Sequence, residues 1–139
     1  MQQIIGPYAQ YKRQKDHAIE SADRVTLITM LLEGALSYNK KVLAALDDYD
    51  KMSALEYTDY GVKIVLHLYS CLDFEQGGEI ATRLGRLYNY VCDQYVVFQK
   101  CPDSEAPINN INKVLTLILD GWKKIPKSEE PVDPAPKVE

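Results

Sequence analysis

Apolar residues recur every three or four positions through four long stretches of the chain, with no sustained two-residue alternation. A period near 3.6 collects such positions on one side of a helix, whereas a strand needs a period of two. The pattern predicts helices over 23–48, 53–72, 78–100 and 108–125. In the first, Ile28, Leu31, Ala35, Tyr38, Val42, Ala45 and Tyr49 form the row, widened by Leu32, Leu36, Leu43 and Leu46, with Asp23 placed to cap the free N–H groups. The second starts at Ser53, with Glu56 three residues on as a capping box. It carries two stripes, one of Leu55, Val62, Val65, Tyr69 and Leu72, the other of Tyr57, Gly61, Ile64 and Leu68. The third has Ile80, Leu84, Leu87, Val91, Tyr95 and Phe98 as its main row, with Tyr90 and Val97 off it. Pro102 and a polar run end that helix. Ile108, Ile111, Leu115, Ile118, Trp122 and Ile125 make the fourth row, and Pro126 stops it.

Residues 1–20 have few aliphatics and read as an extended arm whose sticky points are Ile4, Ile5, Tyr8 and Tyr11. Residues 126–139 carry four prolines and many charges, and are expected to be a disordered, solvated tail. Residues 21–125 are then a single all-α domain. Short connections between long amphipathic helices favour an antiparallel four-helix bundle. Before Gly78, Gly77 is the expected left-handed residue that closes the preceding segment.

One apolar stripe suffices for a bundle helix. The second stripe of the second helix, with Tyr90 and Val97 on the third, is therefore surplus. Three outcomes are open: the N-terminal arm covers it, another chain binds it, or it is core.

Composition narrows the chemistry. The chain has 139 residues, 46% hydrophobic and 26% charged, with a net charge of −4. A length of this order buries enough surface for a core without disulfides or a structural metal. The acidic balance argues against nucleic acid as a partner. Ten tyrosines against two Phe and one Trp suit half-buried seams or a contact surface. Cys71, Cys92 and Cys101 form no C-x-x-C pair, and are read as idle thiols of a reducing compartment. His17 and His67 lack the Glu-x-x-His spacing of a di-iron bundle. No catalytic, metal or cofactor residue is expected, and Gly77-Gly78-Glu79 lacks the Lys and Ser/Thr of a phosphate loop. The N-terminus has no basic region followed by an apolar one, and nothing is apolar for long enough to span a membrane. The expected compartment is the cytosol.

Leu72-Asp73-Phe74-Glu75-Gln76-Gly77-Gly78-Glu79-Ile80-Ala81, followed by Leu84, Leu87-Tyr88 and Tyr90, resembles the signature of the FliS-type flagellin export chaperones. Pro7-Tyr8 with Tyr11, Met30-Leu31-Leu32-Glu33-Gly34-Ala35-Leu36 and Asp120-Gly121-Trp122-Lys123 are similar to the arm, first-helix and last-helix motifs of that family, in the same order. Asp93-Gln94 stands where the family often has two Arg, which inverts the local charge. The resemblance implies a non-enzymatic cytosolic bundle that binds the C-terminal segment of flagellin in apolar grooves. It prevents premature polymerisation and delivers flagellin to the export apparatus, with an export-gate protein or cochaperone as a further partner. The chain would be a monomer, or a weak dimer through its exposed groove. Expected partner contacts are Tyr57, Ile64, Leu68, Tyr90 and Val97, with Ile5, Tyr8 and Tyr11 anchoring the displaceable arm. The alternative reading is a helical regulatory adaptor that sequesters another flagellar assembly protein.

Overall fold

The second and third helices begin two and four residues earlier than the sequence pattern suggests, because aspartates at 50 and 73 cap them. The structure, a computed structural model, describes residues 24–125. Its four helices are α1 (Arg24–Asp47), α2 (Lys51–Ser70), α3 (Phe74–Lys100) and α4 (Ala106–Lys123). The arm, the tail, His17 and the expected cap Asp23 lie outside the described residues. The Asp50 carboxylate accepts from the Ser53 backbone N–H at 3.1 Å, so Asp50, not Ser53, is the N-cap of α2. Asp73 accepts from the N–H groups of Glu75 and Gln76 at 3.1 and 3.0 Å and starts α3 before the glycine pair. The left-handed residue is Gly78 rather than Gly77, with φ 54° and ψ −126°, and it kinks α3 after its first turn. Phe74 holds that first turn against α2, its ring 5.9 Å from that of Tyr69. Any side chain at Gly78 would be strained.

α1 ends in a Schellman motif. The Asp50 N–H reaches the Ala45 carbonyl at 2.8 Å and the Tyr49 N–H reaches Leu46 at 3.0 Å. The left-handed position, usually glycine, is held by Tyr49 at φ 58°, with its side chain 93% exposed. That ring is solvated and not part of the core row. Tyr49→Gly removes the Cβ strain and is expected to stabilise the bundle by roughly 0.5–1 kcal/mol. Urea denaturation measures it, and a lower midpoint would contradict the motif.

α1 packs on α2 and α4, and α3 packs on the same two, while the backbones of the diagonal pairs α1–α3 and α2–α4 stay apart. With connections of three to five residues, this is the antiparallel four-helix bundle. Lys51 and Asp103 pair across one end, and Lys123 meets Glu33 at 3.3 Å toward the other. Both pairs are exposed and contribute little to stability.

The core corrects two expectations. Ile64 and Leu68 are 0% and 2% exposed, so this part of the second stripe of α2 is core and offers no docking surface, while Tyr57 at its start stays half-buried. α2 has two neighbours, and a helix wedged between two others buries a wider arc than one stripe. In the N-terminal half of α3 the buried row is displaced by one residue. Ala81, Tyr88, Val91, Tyr95 and Phe98 point inward, while Ile80 and Leu87 are exposed.

A polar chain crosses this core. The Tyr95 hydroxyl donates to the Asn39 amide oxygen at 2.6 Å, and the Asn39 amide nitrogen donates to Asn112 at 2.9 Å. The bonds join α3, α1 and α4. α2 contributes the space, since a Cβ on Gly61 would stand 2.5 Å from the Tyr95 hydroxyl oxygen. Burial holds the Tyr95 phenol well above its ordinary pKa and keeps it a neutral donor. Tyr95→Phe leaves the fully buried Asn39 oxygen without its donor, a cost of about 1–3 kcal/mol. Gly61→Ala should destabilise by a similar amount, about 1–3 kcal/mol, and by less in the Tyr95→Phe background, where the clashing oxygen is gone. Equal costs of Gly61→Ala in both backgrounds, read by urea denaturation, would refute the coupling.

Candidate functional site: an apolar seam between α3 and α4

The one-residue displacement in α3 is what creates a surface. Its buried arc faces α2 and α4 through Tyr88 and Tyr95, so Ile80, Leu87, Tyr90 and Val97 fall along the outer flank. That flank is the α4 side. Gln94, on the same edge, accepts from the Asn110 amide of α4 at 3.0 Å, whereas Gln99, on the opposite edge, donates to Asp59 of α2 at 3.1 Å.

The Gln94–Asn110 bond also sets the register. Leu87 lies seven residues before Gln94, and Leu117 seven after Asn110, so antiparallel packing brings them to one level. Tyr90 stands level with Val114 by the same count, and Ile80 with the end of α4 beside Ile125. Ile80 and Leu117 are 72% and 73% exposed, and Leu87, Tyr90, Val97 and Ile125 are exposed as well. From Ile80 to Val97 the strip runs about 26 Å at 1.5 Å per residue. Arg83 and Glu79, paired at 2.7 Å, provide a solvated charge pair near its α3 end.

An apolar strip of this length matches the dimensions of an amphipathic helix, which presents anchors at i, i+3, i+4 and i+7. Among the described residues no group of three His, Cys, Asp or Glu side chains could hold a metal ion, and no helix is long and apolar enough to cross a membrane. No disulfide links Cys71, Cys92 and Cys101, and burial raises the pKa of Cys92, opposite to an activated thiol.

The residues read as partner contacts from sequence do not converge. Tyr90 and Val97 belong to the strip, and Ile64 and Leu68 to the core. Tyr57 sits on a different seam, between α1 and α2, with its ring 6.5 Å from that of Tyr38. Ile5, Tyr8 and Tyr11 lie outside the described residues. Four members of the strip were missed as contacts. Ile80, Leu87 and Ile125 continue a core row in sequence, and only the placement of the neighbours turns them outward. Leu117 carried a signal, since it is a large apolar residue off the fourth helix row.

The chain matches the family model for the flagellar protein FliS over residues 7–129. It is similar to the flagellar secretion chaperone FliS of Salmonella typhimurium, 33% identical over 122 residues that cover 87% of this chain and 88% of that protein. The same-named protein of Campylobacter jejuni is 28% identical over 116 residues, covering 84% and 88% of the two chains. That of Vibrio cholerae is 25% identical over 122 residues, covering 87% and 89%. The family model spans the arm motif, the Asp73–Ala81 block and the last helix, and the chain belongs to the FliS family of flagellar proteins.

Proposed function

We propose that this chain is a cytosolic export chaperone that holds the C-terminal segment of flagellin as an amphipathic helix on the α3–α4 seam. The observation that carries this reading is the exposure of Ile80, Leu87, Tyr90 and Leu117 along the α3–α4 seam of an otherwise well-filled bundle. The names of the relatives, flagellar secretion chaperones, give the class of role. The physical logic is direct. A terminal segment destined to pack in a filament is sticky before assembly, and burying its apolar face keeps it from self-association. The role asks for no cofactor and no catalytic residue. Residues 1–20 act as an intramolecular competitor for the same strip, with Ile5, Tyr8 and Tyr11 as anchors.

Titration calorimetry with monomeric flagellin tests the proposal. One-to-one binding is expected, lost when the flagellin C-terminal segment is removed. Deleting residues 1–20 should tighten the same titration. Absence of binding to full-length flagellin would overturn the reading and favour a regulatory adaptor acting on another flagellar protein, to be found by co-purification.

A further inference from the structure

The opposite side of the bundle carries a second surface of different chemistry. Tyr38 of α1 and Tyr57 and Tyr60 of α2 lie half-buried along the α1–α2 seam. The Tyr38 ring is 6.5 Å from Tyr57 and 5.2 Å from Tyr60, so the three make one continuous aromatic strip. Two exposed lysines flank it. The Lys41 ammonium stands 5.6 and 5.7 Å from the Tyr38 and Tyr57 ring centres, and that of Lys63 stands 5.9 Å from Tyr60. Glu56 and Asp59 are the acidic groups near Tyr60, and Asp59 is already engaged by the Gln99 amide at 3.1 Å. Rings paired with ammonium groups are suited to an extended, proline-containing, acidic peptide. Aromatic grooves take the ridges of a polyproline II helix, and lysines take the intervening carboxylates.

The chain contains such a peptide beyond α4. Residues 129–136 read Glu-Glu-Pro-Val-Asp-Pro-Ala-Pro, with three acidic side chains, three prolines and no basic one. Pro131 and Pro134 are three apart, one turn of a polyproline II helix, which repeats in about 9 Å. The Tyr38 ring, 6.5 Å from Tyr57 and 5.2 Å from Tyr60, joins two rings that lie one helical turn apart on α2. We propose that residues 129–136 of this chain dock on the Tyr38–Tyr57–Tyr60 face, with Pro131 and Pro134 on the rings and the acidic side chains toward Lys41 and Lys63.

The tether permits it. Lys123, near the end of α4, is level with Glu33 of α1, and Tyr38 is five residues further along α1, about 7.5 Å. The strip lies across α1, a helix about 10–12 Å in diameter. Residues 126–134 reach roughly 30 Å when extended, enough to round α1 and cover the strip. A short tether holds the segment near its site at an effective concentration of about millimolar, so weak intrinsic affinity is sufficient. The occupied face is separate from the α3–α4 seam, and the inference does not depend on flagellin binding.

Two-dimensional amide NMR of the full chain tests the docking from both sides. Pro131→Ala with Pro134→Ala should shift the resonances of Tyr38, Lys41, Tyr57, Tyr60 and Lys63, and leave those of Leu87 and Leu117 in place. Both positions lie outside the four described helices, so the bundle core is left as it is. Reciprocally, Lys41→Glu with Lys63→Glu should shift Val132 and Asp133. Glu129→Gln, Glu130→Gln and Asp133→Asn together should reproduce the proline result. Changes confined to the substituted segment would overturn the proposal. Changes that appear instead at Leu87 and Leu117 would also overturn it, by placing the segment on the other seam.

Discussion

Ile64→Asp is expected to leave no folded bundle at 25 °C. Ile64 is completely buried in the apolar core, and no Lys, Arg or His is buried among the described residues to pair with a new carboxylate. Removing the apolar side chain alone costs about 2–5 kcal/mol, and burial of an unpaired charge adds several more. The sum rivals the whole stability of a small domain, about 5–15 kcal/mol. Circular dichroism should show loss of the helical signal, and the conservative Ile64→Val should keep it at a cost of roughly 0.5–1.5 kcal/mol. Leu68→Asp should behave in the same way. A soluble, helical Ile64→Asp variant would mean that α2 does not sit between its neighbours as described. Any loss of partner binding in these variants therefore follows from unfolding.

The converse is expected on the α3–α4 seam. Leu87→Asp combined with Leu117→Asp should weaken flagellin binding by roughly a hundred-fold or more, since each central anchor of such an interface contributes about 2 kcal/mol. Both side chains are exposed, so the helical signal and the urea midpoint should change little. The two substitutions come from different helices and meet only through the register set by Gln94 and Asn110. If both single variants weaken binding, one ligand spans the seam. If binding is unchanged in the double variant while the bundle stays folded, the ligand docks elsewhere. The comparison between Ile64 and Leu87 is informative because both are large aliphatics on adjacent helices of the same sequence, yet they have opposite expected consequences.

The fold was accessible from pattern alone, and the site only partly. Period-3.6 rows gave four helices in the right order, because local backbone geometry decides which positions share a side. Capping was read with an offset. Ser53 and Gly78 looked like starts because apolar rows begin there, but Asp50 and Asp73 reach the free N–H groups first and extend each helix backward. Tyr90 and Val97 were identifiable as surplus because they lie off any core row. Tyr57 was identifiable as interfacial but not assignable to a seam, since its neighbour Tyr38 comes from another helix. Ile80 and Leu87 were misread for a related reason. A row drawn through Ile80, Leu84, Leu87 and Val91 is as periodic as one through Ala81, Tyr88 and Tyr95. Periodicity cannot rank two adjacent rows when one is aliphatic and the other holds aromatics and small residues.

By itself the sequence determined the helices, the order of their motifs, the family and the excess of apolar positions over what one stripe per helix requires. These follow from spacing and residue type, which act over one or two turns of chain. Tertiary structure alone decided which excess is core and which is surface. Ile64 and Leu68 are buried because α2 lies between α1 and α3, and Ile80 and Leu87 are exposed because α4 packs beside Gln94 and leaves the next flank of α3 uncovered. The same holds for the Tyr95–Asn39–Asn112 chain and the space that Gly61 leaves for it. The physical reason is that burial is a property of the neighbours a side is given. Those neighbours come from residues tens of positions away, whose rotation about their own helix axes is settled only when all four helices pack together.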